Sequence, residues 1–185
     1  MKRNAGKKHP GQNEPSQSRF FNLLSKGTLA LHQGDLAQAT RFLERAYQLD
    51  RRNVDAALNL GGAYILSKKF TQALTVLEPL SQRDPHNPMV WTNLGAAYLG
   101  NPILAKDENQ QQAIAAFKKA VELNPGTPNV AYNLGLIYRD RQETDQALYW
   151  FRRALQVNPN DRDARRFVDQ LTQQQDTPDG PVLES

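Results

Sequence analysis

WTNLGAAY, residues 91–98, followed after a gap by AIAAFKKAVELNP, residues 113–125, decides how this chain is read. The first segment sets Trp91, Leu94, Gly95 and Tyr98 at i, i+3, i+4 and i+7, one stripe of a helix; the second sets Ala113, Phe117 and Ala120 at i, i+4 and i+7 and closes on Pro125. The same spacing appears 34 residues earlier as Ala57, Leu60, Gly61, Tyr64, Ala73, Leu77, Leu80 and Pro85, and later as Ala131, Leu134, Gly135, Tyr138, Ala147, Phe151, Ala154 and Pro159. A weaker copy opens the array with Leu23, Gly27, Ala30, Ala39, Leu43 and Ala46 in register. Each copy therefore predicts two amphipathic helices.

Gly61, Gly95 and Gly135 fall mid-helix, where glycine is about 1 kcal/mol less favourable than alanine. Close helix packing is the expected compensation, with Ala73, Ala113 and Ala147 opposite the glycines. Pro85, Pro125 and Pro159 end the second helix of each pair, because proline disfavours helical geometry at the residue before it. One hairpin alone leaves an apolar stripe in water, so the hairpins must stack. These positions together resemble the tetratricopeptide repeat. The first copy departs from it with Lys26 where Leu is usual and Arg51 where Pro is usual.

The resemblance implies an all-α, right-handed solenoid of four helix hairpins, residues 20–53, 54–87, 88–127 and 128–161. Ala164, Phe167, Val168 and Leu171 at helical spacing predict a C-terminal capping helix over 162–175, with Asp161 or Asp163 capping its first turn. Two local anomalies stand out. The third repeat is forty residues long, and its six extra residues lie in 102–112, where Asp107 or Asn109 can start the second helix early. Ile103 and Leu104 in that loop either staple it down or touch a partner. Pro79 lies inside a predicted helix, and a bend or break is expected near Glu78.

The formal charge of +4 is confined to residues 1–19, where Lys2, Arg3, Lys7, Lys8 and Arg19 face only Glu14. This segment is rich in Gly, Pro, Gln and Asn and reads as a disordered basic tail. It is first a solubilising arm, and secondarily a weak anchor for nucleic acid or an anionic membrane surface. Residues 176–185 read as a second tail, broken by Pro178, Gly180 and Pro181. There is no cysteine, no apolar run of the roughly 18 to 20 residues that cross a bilayer, and no apolar h-region at the N-terminus. Cytoplasmic residence is the default expectation.

No histidine pair at metal or triad spacing, phosphate loop or nucleophile elbow is present, so no catalytic residue, metal or cofactor is predicted. The resemblance implies that function lies on the concave surface lined by the first helix of each repeat. Its groove positions include Leu58, Asn59 and Gly62, then Thr92 and Asn93, then Tyr132, Asn133 and Arg139. With Phe21, Leu24, Leu31, Ile65, Leu66, Met89, Ala96, Leu99 and Leu136 among the remaining groove positions, the surface is mostly apolar with sparse polar groups, the composition of a receptor for a peptide or helix of another protein. Asn59, Asn93 and Asn133 share one repeat position and align as a ladder able to grip a peptide backbone, although Asn is also common there in the family. Arg139 is the one cation among these positions, which departs from the Lys-rich clamp by which some members hold acidic chaperone tails. The alternative is a self-assembling scaffold: Phe20, Phe21, Leu23 and Leu24 look exposed on the N-terminal end face and could pair with a second copy.

Overall fold

The structure, a computed structural model, describes residues 16–101 and 105–176. The basic segment up to residue 15, the loop apolar pair Ile103 and Leu104, and residues 177–185 lie outside the described residues. Nine helices run through the described part: α1 (Ser16–His32), α2 (Leu36–Leu49), α3 (Val54–Leu66), α4 (Phe70–Arg83), α5 (Pro88–Leu99), α6 (Asp107–Leu123), α7 (Val130–Asp140), α8 (Thr144–Val157) and α9 (Arg162–Asp176). The first begins at Ser16, four residues before the expected repeat boundary. Each helix packs on the next in sequence, and α3 also packs on both α1 and α5, which lays these three first helices side by side as a wall.

Local chemistry sets the helix ends. Asp35, Asn53 and Asp161 accept from the backbone N–H three residues on, at 3.0, 2.9 and 2.9 Å, and so cap α2, α3 and α9. Three hairpin turns share one form: Asp35, Lys69 and Glu143 donate back to the carbonyls of Ala30, Tyr64 and Tyr138, while Gly34, Lys68 and Gln142 bond those of Leu31, Ile65 and Arg139. The pivot of each turn is left-handed, with φ of 77° at Gly34, 59° at Lys68 and 61° at Gln142. Glycine adopts this freely; the lysine and the glutamine do so under strain.

Within each hairpin the atoms nearest the glycine belong to a large residue of the second helix rather than to an alanine. A Cβ placed on Gly27 or Gly61 would strike Leu43 or Leu77 at 2.6 Å, and on Gly95 or Gly135 it would strike the rings of Phe117 or Phe151 at 2.5 and 2.7 Å. The missing side chain makes a socket for one large residue of the second helix. Those four large residues are fully buried. Close packing is thus achieved by a knob in a hole, because a ring fills the space better than two bare backbones would.

In the second and third repeats the tyrosine of the first helix ties its repeat to the previous one. Tyr64 donates to Glu44 at 2.7 Å and Tyr98 to Glu78 at 3.0 Å. Burial, and then the bonded Glu78 carboxylate, push the Tyr98 hydroxyl up to about 12; Tyr64 is raised by the same causes with Glu44. At the third junction Lys118 replaces the glutamate, and its ammonium sits 5.5 Å from the Tyr138 ring centre. Trp91 and Tyr98 pack against both of the main core clusters and join them into one stack.

Three expectations are corrected. Of the bend or break expected near Glu78, the break does not occur, since α4 continues through Pro79 to Arg83. Buried Val76, Leu77 and Leu80 anchor it on both sides, and the Thr75 carbonyl that loses its donor is on the exposed face, where solvent can bond it. The apolar N-terminal face is mostly closed: Phe20 and Leu23 are buried, Leu24 is half-buried, and of the four only Phe21 is exposed, at 55 %. The glycine partners are Leu and Phe, as above. Among the described residues no helix is long and apolar enough to cross a membrane.

Candidate peptide-binding groove

Helix α3 buries Ala56, Ala57, Leu60, Gly61, Ala63 and Tyr64, which leaves the face of Leu58, Asn59, Gly62, Ile65 and Leu66 for solvent. Helix α5 does the same with Met89, Thr92, Asn93, Ala96 and Leu99, and α7 with Tyr132, Asn133, Leu136 and Arg139. Leu66 and Met89 are 60 % and 49 % exposed, so this wall is apolar and partly wet.

The polar groups on it differ in how far they are committed. The Asn59 amide donates to the Thr28 hydroxyl at 2.9 Å, a bond from one repeat to the next. Thr92 turns back on its own helix and donates to the Pro88 carbonyl at 2.9 Å. Asn93 and Asn133 are half-buried and make no side-chain hydrogen bond among the described residues. Neither amide is among the buried polar atoms without a partner, so both remain open to water and to a ligand that replaces it.

The far end of the wall is engaged by α9. Arg139 donates to Asp140 at 2.6 Å and lies 4.6 Å from the Phe167 ring centre. Tyr132 meets Phe151 edge-on at 5.7 Å and Phe167 at 6.3 Å. Burial first, then the charges of Asp163 and Asp161, raise the Tyr132 hydroxyl above its ordinary value. Tyr132 and Arg139 therefore hold the capping helix, and the open stretch runs from Leu58 to Asn133. Asn129, left-handed at φ 63°, delays the start of α7 to Val130 and leaves a cavity of about 200 Å³ between Pro128, Tyr132, Val157 and Asp161. Among the described residues no group of three or more His, Cys, Asp or Glu could hold a metal ion.

The sequence named the ladder but not its state. The Thr28 bond and the Phe167 stack depend on which side chains meet across repeats, and the one signal available was their spacing, 31 residues from Thr28 to Asn59.

Known proteins share this architecture. The MamA (AMB-1) structure superposes with a TM-score of 0.68 at 28% identity, covering 86% of this chain and 84% of that one. TTC0263 of Thermus thermophilus superposes at 0.70 with 22% identity, over 85% and 83%, a likeness of fold. In sequence, the chain is 30% identical over 101 residues to anaphase-promoting complex subunit 3 of Schizosaccharomyces pombe, which is 55% of this chain and 14% of that protein. It is 26% identical over 97 residues to the peroxisomal targeting signal receptor of Kluyveromyces lactis, 52% of this chain and 16% of that one. It is 31% identical over 115 residues to the chloroplastic tetratricopeptide repeat domain-containing protein PYG7 of Arabidopsis thaliana, 60% of this chain and 36% of that one. The matched stretch thus spans little more than a third of these relatives at most. Tetratricopeptide repeat profiles match residues 30–98, 103–127 and 128–161. With the knob-in-hole hairpins, the repeated turns and these matches in agreement, the chain belongs to the tetratricopeptide repeat family.

Proposed function

We propose that this chain is a non-catalytic protein-interaction adaptor that holds a segment of another protein along the wall of α1, α3, α5 and α7. The observation that carries the reading is the pair of unpartnered amides, Asn93 and Asn133, set among half-exposed apolar side chains. Apolar neighbours supply anchorage, and the amides supply orientation. The relatives' names, a complex subunit and a targeting-signal receptor, accord with such a role.

The test uses 12-residue peptides selected on the wild-type protein from a random phage library. Replacing Asn93 and Asn133 together by Ala removes two hydrogen-bonding groups at roughly 1 kcal/mol each, so the affinity of the selected peptides should fall about tenfold or more with helicity unchanged. Equal affinity of the double variant ends the proposal.

A second reading is self-association through the N-terminal end. There Phe21 and Leu49 are exposed beside a 270 Å³ cavity that Ser16, Gln17, Phe20, Asp50 and Asn53 also line. Light scattering decides it: a monomer at every concentration up to the millimolar range excludes this face as an interface.

A further inference from the structure

Three of the four turns that close a repeat carry a side-chain clasp. Nη1 of Arg83 donates to the Arg51 carbonyl at 2.9 Å, 32 residues back. The Trp91 indole donates to the Pro85 carbonyl at 2.8 Å, and Nη2 of Arg165 to the Pro159 carbonyl at 2.7 Å, each six residues back. Arg51, Pro85, Pro125 and Pro159 hold one and the same repeat position. The donor stands at one of two places: the first turn of the next helix, as with Trp91 and Arg165, or the end of the helix after it, as with Arg83.

At Pro125 the clasp is missing among the described residues. The two donor places are Ala131, six residues on, and Val157, 32 residues on, and neither side chain carries an N–H. Both line the cavity of about 200 Å³ beside Pro128, Tyr132 and Asp161. The space thus opens at the two positions from which a guanidinium or an indole reaches the carbonyl at the other turns.

Its walls favour the guanidinium. Pro128, Ala131, Val157 and the Tyr132 ring offer apolar surface to a methylene stem. Asp161 offers charge: one carboxylate oxygen accepts from the Ala164 N–H at 2.9 Å, and the other has no partner among the described residues. The cations that act on Tyr132 are engaged elsewhere, Arg139 with Asp140 at 2.6 Å and Arg166 with Asp163 at 3.2 Å. After burial, the charges of Asp163 and Asp161 raise the Tyr132 hydroxyl and outweigh those of Arg139 and Arg166, so the field at this wall is negative.

We propose that the cavity is a socket for an arginine side chain of a partner protein, whose guanidinium pairs with Asp161 and donates to the Pro125 carbonyl. The partner's arginine supplies from outside what Arg83, Trp91 and Arg165 supply from within. A guanidinium has several donors in a fixed plane to divide between two acceptors, whereas a lysine ammonium is a compact point charge. The proposal rests on the adaptor reading for the claim that the arginine belongs to a protein, and it makes no use of Asn93 or Asn133.

The probe is N-acetylarginine amide, titrated into the isotope-labelled protein and followed by backbone amide NMR shifts. Saturable shifts at residues 129–132 and 161–164 are expected, with a millimolar Kd. Val157→Arg, at a position 38% exposed, provides the clasp internally as Arg83 does and should abolish them. Asp161→Asn keeps a capping side chain and should weaken binding about fivefold or more. Shifts that do not saturate in the wild type, or equal binding by either variant, overturn the proposal. Equal binding of the leucine or lysine amide overturns it as well, and these arms together with Asp161→Asn decide the matter even if Val157→Arg does not fold. Failure here leaves the selected-peptide test of Asn93 and Asn133 untouched, so the two readings fall separately.

Discussion

Gly95 shows how a single missing methyl sets the spacing of two helices. The Phe117 ring, fully buried, lies where its Cβ would be, with the nearest ring atom at 2.5 Å. Gly95→Ala gains about 1 kcal/mol of helix propensity but forces a packed ring to move, at about 1–3 kcal/mol. The variant should be less stable, with a lower urea midpoint at unchanged slope, and a raised midpoint would contradict the socket. Gly61 and Gly62 make the same point from both sides. They are adjacent and alike in sequence, yet one sits under Leu77 and the other faces open space. Periodicity marks both as helical glycines, and only the contacts tell them apart.

Among the elements, α4 carries Pro79 without breaking, because its apolar stripe is held before and after the proline. The lost hydrogen bond still weakens it. Pro79→Ala restores the donor to Thr75 and should stabilise the protein by about 2 kcal/mol, the helix penalty of proline less the gain in unfolded-chain entropy, read as a higher urea midpoint. A lower midpoint would mean that the proline serves packing. Part of the insertion in the third repeat also finds its use in an element. Helix α6 spans 17 residues where α2, α4 and α8 span 14, and its added first turn is engaged. Arg141, in the turn before α8, donates to Asp107 and Gln110 there and to Glu143 at 2.7 Å. The longer helix reaches across to the last hairpin and ties it down.

Across the full solenoid, stability depends on neighbours, since each hairpin exposes an apolar face until the next one covers it. The last hairpin relies on α9, where Phe167 stacks on Phe151 at 4.9 Å and Ala164 and Leu171 are buried. A chain ending at residue 161 uncovers that face. It should lose at least about 3 kcal/mol, the order of one buried aromatic, and associate in size-exclusion light scattering. A monomeric truncation with an unchanged urea midpoint would show that α9 is dispensable.

The hairpins, their number and their stacking are legible in the order of residues alone. Helical periodicity, mid-helix glycine and terminal proline are local constraints, repeated often enough that one copy corrects another. The same periodicity places Asn59, Asn93 and Asn133 on one face, because position along a helix fixes direction. The state of each group on that face is a matter of tertiary contact. Asn59 is tied to Thr28, Arg139 and Tyr132 are drawn under Phe167, and Asn93 and Asn133 have no side-chain hydrogen bond among the described residues. Those outcomes are set between residues about thirty positions apart, beyond the reach of the periodicity within one helix.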